Sequence, residues 1–218
     1  MTFTDRVPLT RQRVADAALA FIDEHGLDGL SMRKLGAELG VEAMSLYNHV
    51  TNKADLLDAV AERLFHDVID AYGRPVGDWK VHARALCHAY VDVAAAHPLA
   101  VRLLITPATG SRSAHEFDQR IVRAARLMSG DDRIGALAFA TVSNWVIGTI
   151  VQQHGLMGAA DGGHVDTGEA HTDEADTEAT DDELVRFQRA AEQLSAEERF
   201  DEGLEVVLAA LEARYSES

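Results

Sequence analysis

Apolar residues recur at helical spacing along most of this chain, and nowhere do they alternate as a strand would require. Over residues 10–25 they fall at Val14, Ala17, Ala18, Phe21 and Ile22, one helix face. Thr10 offers an N-cap hydroxyl and Gly26 a C′ residue. Ser31 caps a short second helix that turns Met32, Leu35 and Leu39 inward and stops at Gly40. A third short helix covers about residues 42–49. Thr51 begins a longer one, with Leu56, Leu57, Val60, Leu64, Val68 and Ile69 apolar. Four prolines in 218 residues fit this pattern, and an all-α fold is expected.

Gly73, Pro75 and Gly77 punctuate the chain. With this boundary, the chain reads as a three-helix N-terminal domain (1–50), a connecting helix (51–70) and a larger C-terminal helical domain (71–218). In the larger part, helices are expected at 78–96, 99–105, 113–128, 131–157, 181–194 and 196–215. Residues 131–157 are apolar almost all round but interrupted by Thr141, Ser143, Asn144 and Thr149. They suit the centre of a bundle rather than a membrane span. Residues 158–180 form an acidic loop almost without large apolar residues. The last helix aligns Phe200, Leu204, Val207, Leu208 and Leu211. That stripe closes either within one chain or against a second copy.

A net charge of −16 argues, by itself, against nucleic acid. The excess is uneven. Residues 158–183 hold ten acidic residues and no Lys or Arg, whereas residues 1–65 hold seven Lys/Arg against ten Asp/Glu. Local placement therefore matters more than the sum. A single cysteine, Cys87, excludes an internal disulfide and fits a reducing cytoplasm. Residues 1–8 carry no signal-peptide pattern.

Residues 31–53 combine a supporting helix, a tight turn and a second helix, the parts of a helix-turn-helix. Leu35, Leu39, Val41 and Leu46 can lock the two helices together, and Gly40 tolerates the positive φ of the turn. Arg33 can reach a guanine edge, while Ala43 and Met44 suit a thymine methyl. Ser45, Tyr47 and His49 can donate to phosphate oxygens, and Lys53 adds a charge.

The runs Arg33-Lys-Leu-Gly, Gly40-Val, Leu46-Tyr-Asn-His-Val, Asn52-Lys and Leu56-Leu-Asp-Ala resemble the TetR family of bacterial transcriptional regulators. Asp78-Trp, Ser143-Asn-Trp-Val-Ile-Gly and Phe200-Asp-Glu-Gly-Leu-Glu are similar to its tetracycline-repressor branch. The resemblance implies a homodimer built on residues 131–157 and 196–215, with Leu204, Val207, Leu208 and Leu211 at the interface. It also implies a small-molecule effector site in the larger domain.

That resemblance places Leu103, Gln152, Pro107, Leu86, Ile69 and Asn144 where the tetracycline repressors use His, Glu, Arg, Asn, His and His. Only Tyr90 stands at an aromatic position like for like. Leucines offer no donor to a hard cation, so no tetracycline–magnesium site is expected. A more apolar cavity would be lined by Leu86, Tyr90, Leu103, Phe117, Asn144, Trp145 and Gln152, with the two amides orienting the effector. Leu86, Leu103 and Trp145 fit plain core positions equally well.

His82 and His88 differ by six positions and share no helix face. His164 and His171 stand in a solvated loop, and Cys87 reads as a small core residue. No metal, cofactor or catalytic constellation is expected. The leading reading is a cytoplasmic, homodimeric, ligand-responsive repressor acting on double-stranded DNA. A constitutive DNA-binding dimer without effector is the alternative, and an enzyme on a helical scaffold is the outsider.

Overall fold

The computed structural model describes residues 8–73, 75–105, 132–156, 186 and 193–215. Every regular element among them is helical. The chain forms two compact units, residues 1–147 and 148–218. The expected helices 113–128 and 181–194 and the acidic loop 158–180 lie outside the described residues, apart from single positions.

Helix α1 spans Arg11–His25. Thr10 Oγ1 accepts from the Arg13 N–H at 3.2 Å, the expected N-cap. Gly26 ends the helix at φ 76°, its N–H donating to Ile22 O. The buried face holds Val14, Ala18, Phe21 and Ile22, and widens to Ala15 and Leu19. Helix α2 is Met32–Glu38 and α3 is Ala43–Leu46.

Helix α4, Lys53–Tyr72, starts two residues later than the sequence suggests. Thr51 lies outside it as a partner in a reciprocal cap. Asn52 Oδ1 accepts from the Asp55 N–H, and the Asp55 carboxylate accepts from the Thr51 N–H and hydroxyl. Leu56, Ala59, Val60, Ala61, Leu64, Phe65 and Val68 are buried. Helix α4 packs against α1 and also against α5 (Trp79–Ala96) and α6 (Val101–Ile105). Asp78 caps α5 by accepting from the Lys80 and Val81 N–H groups.

Helix α7 is Asp132–Gln153, and the division between the two units falls within it. Ala138, Val146 and Ile150 are buried, whereas Leu137 is 53% exposed and Ile147 is also exposed. Burial all round, as in a bundle centre, is not reached within one chain. Helix α8, Ala196–Tyr215, is opened by a capping box: Ser195 Oγ accepts from the Glu198 N–H, and Glu198 Oε2 from the Ser195 N–H.

Gly36 sets how closely α2 and α3 approach. A Cβ there would stand 3.0 Å from Val41 O, 3.1 Å from Ala43 N and 3.2 Å from Ala43 Cα. All three are backbone atoms that cannot rotate away. In an open helix Gly→Ala stabilises by about 1 kcal/mol. Here overpacking of about 1–3 kcal/mol opposes it. Gly36→Ala is expected to lower the urea midpoint. An unchanged or raised midpoint would show that the two backbones can part without cost.

Candidate nucleic-acid interface

The two short helices hold together through a few buried side chains and a tight turn. Leu30, Leu35, Leu46 and Val50 are almost fully buried. Truncating any one of the leucines to alanine costs about 2–5 kcal/mol by the usual cavity argument. In the turn, the Leu39 N–H donates to Leu35 O, the Gly40 N–H to Ala37 O and the Val41 N–H to Gly36 O. Gly40 has φ 65°, as the sequence suggests. Ser31 Oγ accepts from the Lys34 N–H, confirming the expected cap. Leu39 and Val41 are half-buried, at the margin of this small core.

The remaining side chains form the outer surface. Met44 is 71% and Tyr47 44% exposed. Such large groups standing in solvent on a four-residue helix have no use in the core. Ala43, Met44, Tyr47 and Asn48 follow helical spacing and share the outer side of α3 and its closing turn. Arg33 is exposed in the first turn of α2, and Lys53 is exposed at the first position of α4. Ser45 and His49 are half-buried. All seven expected DNA-contacting residues are thus at least partly accessible, and Arg33, Met44, Tyr47 and Lys53 are exposed.

Arg11 is the residue that the sequence pattern did not single out. Its guanidinium donates to His49 O at 3.3 Å and to Asp55 O at 3.2 Å, and pairs with Asp55 Oδ1 at 2.6 Å. One side chain of α1 therefore ties the turn after α3 to the first turn of α4. A five-donor fork suits this task better than a lysine. Its carbonyl targets carry no sequence signature, so only the proximity of α1 to α4 reveals them. The Arg11 hydrogen bond holds Asp55 below its ordinary 3.8, at about 2, with the Thr51 bonds adding to the effect. Further along, Arg63 of α4 pairs with Asp16 of α1 at 2.9 Å and with Asp67 on its own helix.

The expected effector-lining residues are placed unevenly. Leu86 and Tyr90, one helical turn apart on α5, are half-buried, as is Leu103 on α6. Trp145 is half-buried on α7. Asn144 and Gln152 are exposed, so they do not line an enclosed cavity within one chain. Phe117 lies outside the described residues. Cys87 is buried, and burial pushes its thiol up to about 12, consistent with a core residue.

The expected interface residues differ in their exposure within the single chain. Leu204, Leu208 and Leu211 are already buried in the single chain, Leu208 completely. Val207 is half-buried. Helical spacing groups these residues on one face but does not say whether the same chain or another covers it. Among the described residues of α8, Val206 stands outside at 70% exposed.

Residues 14–60 match the family described as bacterial regulatory proteins, tetR family. The chain is 32% identical over 161 residues to the class D tetracycline repressor protein of Escherichia coli, covering 66% of each protein. It is 29% identical over 145 residues to the transcriptional repressor DrrR1 of Streptomyces coeruleorubidus, covering 66% of this chain but 54% of that protein. The chain thus spans between half and two thirds of these relatives' length. Among solved structures, unliganded ActR of Streptomyces coelicolor, a TetR family protein, superposes with a TM-score of 0.71. It is 27% identical, over 95% of this chain and 96% of that one.

The Arg11–Asp55 pair has a pH signature. Because Asp55 is held low in the folded chain, its stabilisation is present above about pH 4 and is lost as pH falls toward 2. With allowance for the solvent that reaches Arg11, it amounts to about 1 kcal/mol. Asp55→Asn is expected to be less stable than the parent in urea at pH 7, with the gap closing at low pH. A gap that stays constant with pH would assign the loss to packing instead.

Proposed function

The chain belongs to the TetR family of bacterial regulatory proteins, and from that premise we propose that it is a DNA-binding transcriptional regulator. It acts as a homodimeric repressor and leaves a palindromic operator when a small-molecule effector binds. The observation that carries the DNA reading is the outer face of α3. Met44 and Tyr47 project there, on a helix fixed from behind by Gly36, Leu46 and Arg11. The repressor role is supported by the names of the similar proteins.

Recognition divides between positioning and reading. Tyr47, Ser45, His49 and Lys53 serve the phosphate backbone, and Arg33, Ala43 and Met44 the base edges. Two copies would present two α3 helices to half-sites about 34 Å apart. With so acidic a chain, affinity rests on these few donors. In a gel-shift assay on the chain's own promoter DNA, Arg33→Ala is expected to cost about 1–3 kcal/mol and relax specificity at one base position. Lys53→Ala is expected to weaken all sequences alike and reduce the salt slope by about one. If the parent chain binds no double-stranded DNA at low salt, the proposal fails.

ActR, which this chain resembles in structure, has been solved in complex with actinorhodin and with (S)-DNPA. By that likeness, the half-buried Leu86, Tyr90, Leu103 and Trp145 would belong to an effector site. Leu86 and Leu103 bring no donor for a hard cation, so the effector is not a tetracycline–magnesium complex. Ligand binding would act through α4, on which α6 packs. The effector must favour the non-binding conformation for release to follow. A library screen by thermal shift tests this, and a chain that no small molecule stabilises would be the constitutive dimer instead.

Dimerisation draws support from apolar residues left in solvent: Leu137 and Ile147 on α7, and Val206 on α8. Sedimentation is expected to show Val206→Glu shifting the chain toward monomer with its melting temperature at high dilution unchanged. Leu208→Ala, by contrast, is expected to lower that temperature through a cavity worth about 2–5 kcal/mol. A Val206→Glu chain that stays dimeric would exclude this face of α8.

A further inference from the structure

His97 connects three elements. Its N–H donates to Val93 O and ends α5, and its carbonyl accepts from the Ala100 N–H at 3.0 Å just before α6 begins. Its ring Nδ1 lies 2.9 Å from Oδ2 of Asp23, in the last turn of α1 and 74 residues away in the chain. An ionised carboxylate only accepts, so Nδ1 carries the proton and donates to Asp23. The pair is partly shielded from solvent, with side-chain exposures of 22% and 29%. The other Asp23 oxygen, Oδ1, is buried and has no partner among the described residues. The hydrogen bonding of this carboxylate therefore depends on His97.

The other attachments of the corner between α5 and α6, both of which pack on α4, are of a different kind. Ala100, Val101 and Leu104 are buried, and α6 packs on α4. The apolar driving force has no preferred direction, whereas a hydrogen bond to a shielded carboxylate fixes distance and angle. Helix α1 in turn holds the turn after α3 through Arg11. Helix α1 is thus tied at its last turn to the corner through Asp23 and at its first to the turn after α3 through Arg11.

We infer that the Asp23–His97 hydrogen bond is the contact that sets the angle of the DNA-reading head against the corner between α5 and α6, making both residues positioning residues for operator recognition. This rests on the DNA-binding reading above, and it adds a site of control at α1 rather than at α4. Without the bond, the head would remain folded and attached through α4, but its orientation would spread. Specific binding would suffer, because it needs two heads in register. Binding to unrelated DNA needs only charge and would not change.

The test uses the full chain and two readouts. For the first, spin labels are placed at Asn48→Cys and Asp92→Cys, both exposed positions. The native Cys87 is buried and its thiol is pushed up to about 12, so it stays unlabelled. His97→Ala is expected to broaden the label-to-label distance distribution without DNA present. For the second, in chains without labels, His97→Ala is expected to weaken operator binding about tenfold while leaving affinity for unrelated DNA of the same length unchanged. Asp23→Ala should do the same, and the double variant should be no worse than either. That double variant leaves no stranded carboxylate, so it serves if His97→Ala folds poorly. His97→Asn, whose amide nitrogen falls near the place of Nδ1, should restore both readouts.

An unbroadened distribution, or operator and unrelated DNA weakened alike, would overturn the inference. If the parent chain shows no operator preference at all, the DNA reading falls, and the distance measurement still decides whether the pair orients the head.

Discussion

The buried face of α4 is the constraint on which the described part of residues 1–147 depends. Leu56, Val60, Leu64 and Val68 are fully or almost fully buried, and α1, α5 and α6 all pack on that helix. Each such side chain contributes about 1.5–3 kcal/mol by leaving water. Helix α1 and helices α5 and α6 therefore share one rigid element. A shift of α6 cannot leave α4 where it is, because close-packed interiors transmit displacement rather than absorb it. Polar ties then supply direction: Arg63 to Asp16, Arg11 to Asp55 and His97 to Asp23.

Charge has to be read at the same local scale. A chain with a net charge of −16 is repelled by DNA at long range. What counts at contact is which charges stand beside the reading face, where Glu42 at the start of α3 is exposed but Asp55 is occupied. Asp55 is paired with Arg11 and bonded to Thr51, while Asp16 and Asp67 are engaged by Arg63. The exposed positions on the outer side are instead Arg33, Met44, Tyr47, Asn48 and Lys53. Attraction of so few donors is short-ranged and salt-dependent, and specificity gains at the expense of indiscriminate binding.

Much of this was legible before any coordinates. Thr10 and Ser31 cap the helices that follow them because a side-chain oxygen just before a helix meets amide groups with no other partner. Gly26 and Gly40 stand where the backbone turns left-handed. The start of α4 was misplaced because Thr51 and Asn52 both have capping side chains, and only the Asp55 carboxylate closing onto Thr51 makes Asn52 the cap. Gly36 stood within a recognisable motif, yet its reason, the approach of the Val41 and Ala43 backbones, is a distance across two helices.

The residue pattern by itself determined the elements and their inward faces, since capping and 3.6-residue periodicity are local properties of the chain. It determined the helix-turn-helix for the same reason, because that unit is only about twenty residues long and supplies its own small core. What covers each apolar face was decided by the tertiary structure alone. Leu204, Leu208 and Leu211 are closed within the chain while Val206 and Leu137 stand outside, though all five are simply apolar in the sequence. The partners of Arg11 and His97 were decided the same way. A hydrogen bond across 38 or 74 residues depends on where packing delivers two groups, and no spacing rule encodes that.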